Sequence, residues 1–66
     1  MYTARQLIQV FTDEGYSDRE IALMIAAHRG RVVHRENVGR IRRGEYNGRN
    51  LYPAILALAR AWGVVG

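Results

Sequence analysis

The sequence predicts a single all-α domain built as a small bundle of four short helices. Two stretches, YTARQL and YSDREI, carry the same capping signature, which marks two helix starts. Apolar residues recur at spacings of three and four, which is typical of helices with one buried stripe. Because 66 residues lie near the lower limit for independent folding, we expect one domain over residues 1–66, with dimerisation as additional support.

The first two helices have well-marked boundaries. In each, a threonine or serine is followed three residues later by glutamine or glutamate, so that side chains and backbone amides satisfy one another. We predict helices from Ala4 to about Glu14 and from Asp18 to Ala27 or His28, each followed by a glycine stop. The predicted core residues are Ala4, Leu7, Ile8 and Phe11 in the first helix and Ile21, Ala22, Ile25 and Ala26 in the second.

The stretch RENVGRIRRG predicts a third, short helix that ends at Gly44. Its only clear inward anchors are Val38 and Ile41, which lie three residues apart on one face. No serine, threonine or aspartate precedes Arg35, so a shorter helix capped by Asn37 remains open. The loop that follows contains an Asn-Gly turn signal.

The fourth helix is expected to start near Asn50 as its cap, with Pro53 in the first turn, and to end at Gly63. Its predicted apolar stripe comprises Leu51, Ile55, Leu58, Ala59 and Trp62. Three further apolar residues lie off this stripe, so the helix is apolar nearly all round. Its second apolar face is expected to pack against a partner chain. The sequence therefore favours a homodimer formed through the C-terminal helix.

Positive charge is concentrated in one third of the chain. Every basic residue except the two histidines is an arginine, and the formal net charge is +4. Residues 28–49 hold seven arginines and two glutamates, a net charge of +5, whereas the remainder has a net charge of −1. A run of charge is often only a solvated face, but the guanidinium fork matches phosphate and guanine edges. The concentration favours an acidic partner, with nucleic acid first.

Several classes of function receive no support from the sequence. Without cysteine there are no disulfides or thiolate zinc sites, and two histidines without paired carboxylates make a poor metal site. No glycine-rich phosphate loop or catalytic dyad stands out, so we expect neither an enzyme nor a cofactor. The longest apolar run is too short to span a bilayer and no leader opens the chain, so we expect a cytoplasmic protein without a membrane partner.

Three motifs, in this order, resemble those of the phage-repressor, Cro and XRE family of helix-turn-helix DNA-binding proteins. YSDREIALMIA is similar to the family's second helix, NVGRIRRGEYN to its recognition helix and following loop, and ILALARAWGV to its penultimate helix. The resemblance implies a sequence-specific, Cro-like transcriptional regulator, expected to act as a repressor. It also implies a dimer bound to a pseudo-palindromic operator in double-stranded DNA, with each third helix in the major groove.

The resemblance also implies roles for the polar residues of the basic segment. Arginine binds guanine, asparagine binds adenine, and glutamate accepts from cytosine in the major groove. The implied base-reading residues are Arg35, Glu36, Asn37 and Arg40. The implied phosphate-binding residues are Ser17, Arg31, His34, Arg43, Asn47 and Arg49. Glu36 could equally orient a neighbouring arginine instead of reading a base. Arg42 could pair with Glu45. Gly39 could equally allow close helix packing or leave space for DNA to approach.

The chain departs from the family between the second and third helices. Sixteen positions separate Ala22 from Val38, about six more than is usual in the family. Matching Ala26 and Gly30 to the family's alanine and glycine leaves fewer extra residues, but it places Arg29 in the core. We therefore expect a helix-turn-helix with an extended turn, in which Arg31 and His34 gain a DNA contact if the turn forms an arm or strand.

Two other functions remain open at this stage. A helical protein-binding module, of the antitoxin or phage-encoded inhibitor type, would direct the same basic face at an acidic protein. A sequence-independent nucleic-acid binder would need only the charge, although the basic segment offers one aromatic residue, Tyr46, for stacking on single-stranded bases.

Overall fold

A computed structural model describes residues 1–65 and confirms the all-α fold. The helices are α1 (Ala4–Asp13), α2 (Asp18–Arg29), α3 (Arg35–Arg43) and α4 (Tyr52–Ala61), and no strand is present in this part of the chain. Helix α2 packs against α3 and α4, and α1 closes the bundle against the same two helices. The molecule measures 27 × 23 × 23 Å.

Both predicted capping boxes are formed. The Thr3 hydroxyl accepts from the Gln6 amide at 3.1 Å, and the Thr3 amide donates to the Gln6 side chain at 2.8 Å. Ser17 and Glu20 repeat the arrangement at 3.1 and 3.0 Å. Because each box fixes its helix start, the predicted first residues of α1 and α2 are correct, and α2 continues to Arg29, one residue beyond the predicted limit.

The core contains the predicted stripes of the first three helices with small changes. All four predicted residues of α1 are buried, as are three of the four in α2, and Ala26 is half-buried. Val38 and Ile41 are fully buried, as predicted. Val33 and Ala54, which were not predicted, are also buried, and no polar side chain is buried within residues 1–65.

Helix α4 corrects two predictions. It begins at Tyr52 with Leu51 at the N-cap position, so Asn50 is not its cap. A tight turn precedes it, in which the Leu51 amide donates to the Gly48 carbonyl at 3.0 Å. Asn50 lies within that turn. Trp62 is not a core residue, because half of it is exposed while its ring packs edge-on against Phe11 at 5.5 Å.

The connection between α2 and α3 is a five-residue turn, residues 30–34, and the structure is a helix-turn-helix with an extended turn. Val33 is buried and anchors the turn, whereas Val32 is 78% exposed. Helix α3 begins at Arg35, so the shorter helix capped by Asn37 is not formed. Residues 28–34 therefore complete α2 and form an anchored turn, without a strand.

Candidate nucleic-acid interface

Helix α3 has a buried face and an exposed, mainly basic face. Val38 and Ile41 face the core, and Gly39 is buried beside the side chains of Asp18 and Arg43. The exposed side chains of the helix are Arg35, Glu36, Arg40 and Arg43. Three of the four residues predicted to read bases therefore lie on the accessible surface, and the fourth, Asn37, is half-buried.

The two ends of α3 are built differently, and we call residues 34–37 its leading end and residues 42–45 its trailing end. At the leading end His34 occupies the N-cap position without a side-chain hydrogen bond, and its carbonyl accepts from the Asn37 amide at 3.0 Å. The amides of the first turn are thus not satisfied by a capping side chain, unlike those of α1 and α2. At the trailing end Gly44 adopts φ +82° and closes the helix.

An ion pair joins the trailing end of α3 to the start of α2. Arg42 donates from Nε to Asp18 Oδ1 at 3.0 Å and from Nη2 to Asp18 Oδ2 at 2.9 Å. This hydrogen bond holds the pKa of the Asp18 carboxyl below its ordinary value. The suggested pairing of Arg42 with Glu45 is wrong, because Asp18 accepts from two donors on one edge of the Arg42 guanidinium.

Glu45 instead pairs with Arg43. Arg43 Nε donates to Glu45 Oε2 at 2.7 Å, and about half of each side chain is exposed. The hydrogen bond from Arg43 lowers the pKa of the Glu45 carboxyl. An exposed pair of this kind contributes little to stability, so a phosphate can replace the carboxylate as the partner of Arg43.

Arg5 of α1 supports the same end of α3, a role that the sequence did not indicate. Its Nε donates to the Arg42 carbonyl at 3.0 Å, and its guanidinium lies over Gly44. A cation at the carboxyl end of a helix satisfies a free carbonyl and opposes the negative end of the helix dipole. The contact joins residues 37 positions apart, so no local pattern predicts it.

Gly39 lies beside the side chains of Asp18 and Arg43. A Cβ at this position would lie 3.2 Å from Asp18 Oδ2 and 2.9 Å from Arg43 Nη1. The absent side chain therefore leaves room for the Asp18 carboxylate beside the exposed face. Both suggested reasons for this glycine, close helix packing and access for DNA, stay predictions, because the nearest atoms that a Cβ would meet belong to side chains and not to a helix backbone.

The residues predicted to bind phosphate lie around the rim of α3. The amide and hydroxyl of Ser17 are already used by its capping box. Arg31 and His34 are exposed in the turn beside the leading end. Asn47 and Arg49 are exposed beyond the trailing end, where the Asn47 side chain accepts from the Arg49 amide at 2.9 Å.

Shallow depressions adjoin one another along α3. The middle one lies over Gly39 and Arg40, between Asp18 and Glu45. It meets a depression between α2 and the turn at Arg35, which lines both. Glu45 likewise links it to a wider groove beside the N-terminal residues, which Arg5 and Arg49 line. Of the residues predicted to read bases or bind phosphate, Ser17, Arg31 and Asn37 line none of these depressions. The residues that do are His34, Arg35, Glu36, Arg40, Arg43, Asn47 and Arg49.

Comparisons with protein-family models, with curated proteins and with solved structures found no match to this chain. No helix within residues 1–65 is long and apolar enough to cross a membrane. No group of three or more histidine, aspartate or glutamate side chains in the same residues is arranged to hold a metal ion.

Proposed function

We propose that this protein is a sequence-specific, double-stranded-DNA-binding transcriptional regulator of the Cro type, acting as a repressor. Helix α3 enters the major groove. Arg35, Glu36 and Arg40 contact base edges there, and Asn37 reaches adenine from its half-buried position.

The observation that supports this proposal most strongly is that two exposed arginines of α3, Arg35 and Arg40, form no ion pair within residues 1–65. In the described part of the chain, only Arg42 and Arg43 of this helix form ion pairs with carboxylates. Arg35 and Arg40 are exposed and keep their guanidinium donors free for a ligand. Arginine is the side chain that most often contacts guanine O6 and N7.

The dimensions of α3 suit the same ligand. With its side chains an α-helix is about 10–12 Å across, and the major groove of B-DNA is about 12 Å wide. The buried anchors Val38 and Ile41 hold the helix against the bundle while the basic face projects outward. The fold thereby presents the side chains on a rigid element.

The protein is proposed to act as a homodimer through α4. Trp62 is 49% exposed, Ala61 is exposed, and Leu56 and Ala57 are half-buried, which leaves an apolar surface at the carboxyl end of the chain. A twofold dimer would present two α3 helices to half-sites about 34 Å apart on a pseudo-palindromic operator.

Selection of bound duplexes from a random pool tests the proposal, together with a sizing measurement of the free protein. We expect an enriched motif with twofold symmetry, a dimeric species, and affinity that falls steeply with salt. If no motif is enriched and unrelated duplex competes equally well, the protein binds nucleic acid without sequence specificity. No binding to duplex at low salt would favour the protein-binding module instead.

A further inference from the structure

Carboxylates lie among the arginines of the middle depression, and one of them, that of Glu45, has no role in the proposed function. The carboxylates that line this depression belong to Asp18, Glu36 and Glu45, and the arginines are Arg35, Arg40 and Arg43. The formal charges of these six side chains cancel. The depression therefore suits a ligand surface that offers both hydrogen-bond donors and acceptors, rather than one that is uniformly negative.

The edges of base pairs in the major groove are a surface of this kind. Guanine presents two acceptors there, cytosine presents an amino donor, and adenine presents one of each. A row of phosphates, like a uniformly acidic protein, presents acceptors and negative charge alone. The balance of charge in the middle depression thus favours base edges over the DNA backbone as its occupant and leaves the backbone to the rim.

The backbone of Glu45 is fixed to the end of α3. Its amide donates to the Arg40 carbonyl at 2.8 Å, and the Gly44 amide donates to the Ile41 carbonyl at 3.0 Å. These two bonds, with Gly44 at φ +82°, form the closure that commonly ends a helix at a glycine. Although Glu45 lies outside the helix, it is therefore held in place and lines the same depression as Arg40.

Only one oxygen of the Glu45 carboxylate has a hydrogen-bond partner within residues 1–65. Oε2 accepts from Arg43 Nε at 2.7 Å, whereas Oε1 accepts from no group in this part of the chain. The Asp18 carboxylate differs, because both of its oxygens accept from Arg42. The hydrogen bond from Arg43, together with the charge of Arg40, holds the pKa of the Glu45 carboxyl below its ordinary value. Glu45 therefore offers an ionised acceptor at neutral pH.

We propose that Glu45 is a specificity-determining residue, which accepts a hydrogen bond from the N4 amino group of a cytosine in the major groove. The major-groove edge of cytosine offers a donor without an adjoining acceptor, so it is the edge that a carboxylate prefers. Glu36 is proposed to contact a base edge from the leading end of α3, and Glu45 adds a second carboxylate at the trailing end. The proposal rests on the proposed function, because it concerns the DNA that α3 reads.

Arg43 links this base contact to the phosphate backbone. When Arg43 turns to a phosphate, its exposed ion pair opens and Glu45 loses its partner. On a duplex with a cytosine in reach, the amino group replaces the guanidinium as that partner. On another duplex the carboxylate stays unpaired beside acceptors and phosphates, which lowers the affinity for that duplex. Glu45 thus discriminates by attraction to one base and by repulsion from the others.

The test compares Glu45→Ala with the wild type and with Glu14→Ala. Glu14→Ala is the matched control, because it removes the same charge from an exposed position at the end of α1, outside the depressions along α3. Unfolding by urea verifies that both variants are folded. Each protein is used for selection from a random pool of duplexes, and its affinities for the wild-type operator and for an unrelated duplex are measured.

We expect selection with Glu45→Ala to recover the motif without its preference for cytosine at one position of each half-site, whereas Glu14→Ala recovers the wild-type motif. The ratio of operator affinity to unrelated-duplex affinity should be about tenfold lower in Glu45→Ala than in Glu14→Ala. N4-methylcytosine at that position keeps its pairing with guanine but carries a methyl group in place of the proton that faces the major groove. This base should weaken binding by the wild type about tenfold and leave the affinity of Glu45→Ala unchanged.

A motif, an affinity ratio and a sensitivity to N4-methylcytosine that are the same in Glu45→Ala as in the wild type would overturn the proposal and leave the proposed function intact. An equal rise in affinity for both duplexes would also overturn it, since Glu45 would then only compete with phosphate for Arg43. If selection with the wild type recovers no motif, the proposed function fails, and Glu45 reads no base.

Discussion

The leading and trailing ends of α3 carry similar side chains but use them differently. At the trailing end Arg42 pairs with Asp18, Arg43 pairs with Glu45, and Arg5 donates to a backbone carbonyl. At the leading end neither His34 nor Arg35 forms a hydrogen bond through its side chain within residues 1–65. One end is fixed to the bundle, and the other offers its donors to solvent.

This difference shows how a small domain can present a rigid basic helix. The contacts of Arg42 with Asp18 and of Arg5 with the Arg42 carbonyl hold α3 against α2 and α1, whereas the Arg43–Glu45 pair forms within the trailing end. The Arg35 guanidinium at the leading end forms no ion pair within residues 1–65. Arginines that look alike along the sequence of residues 35–43 therefore have different surroundings in the fold.

The largest expected effect is a loss of stability when Ile41, the buried residue that packs α3 against the core, is truncated. Ile41 is fully buried, so Ile41→Ala should lower the free energy of unfolding by about 2–5 kcal/mol. Urea denaturation measures the change. Val32→Ala, at a site that is 78% exposed, is the control and should stay within about 0.5 kcal/mol. Similar losses for both variants would contradict the assigned core.

A smaller effect, on binding alone, should follow from a change at the leading end. Arg35→Ala removes a free guanidinium without disturbing the core, so we expect a loss of about 1–3 kcal/mol on the selected operator. Its urea midpoint should match that of the wild type. Unaltered operator affinity, measured by titration at fixed salt, would remove Arg35 from the interface.

The Asp18–Arg42 pair gives a stability change that depends on pH. Because the pKa of Asp18 is lowered in the fold, its contribution is present above its ordinary value of 3.8 and is lost as the pH falls through the lower folded value. Asp18→Asn should lower the melting temperature by a few degrees at neutral pH. The difference from wild type should shrink on acidification below pH 3.8. A constant difference across this range would show that the pair does not contribute.

The smallest effect is expected at Arg5. Arg5→Ala removes a cation and a hydrogen bond from the carboxyl end of α3, which should cost about 0.3–1 kcal/mol. Amide hydrogen exchange should quicken selectively at Gly44 and Glu45, whose amides donate to carbonyls of α3. Uniform acceleration throughout the bundle would instead show that Arg5 stabilises the whole fold.

The sequence predicted those parts of the fold that depend on local chemistry. Thr3 and Ser17 mark helix starts through contacts within four residues, and Val38 and Ile41 follow a simple helical spacing. Contacts between distant segments could not be predicted in this way, because nothing near Arg42 in the sequence distinguishes Asp18 from Glu45 as its partner. The Arg5 contact and the depression between α2 and the turn likewise form only when α1, α2 and the turn are packed against α3.

Two arginines one turn apart on α3, Arg40 and Arg43, are proposed to contact different parts of the DNA, and this difference is the most direct test of the proposed function. Affinities of Arg40→Ala and Arg43→Ala for the selected operator and for an unrelated duplex would measure it. We expect Arg40→Ala to lose about 1–3 kcal/mol on the operator and much less on unrelated duplex, because it reads a base. Arg43→Ala should weaken binding to both duplexes equally, because it contacts phosphate. Equal loss on both duplexes for Arg40→Ala would contradict base reading by α3.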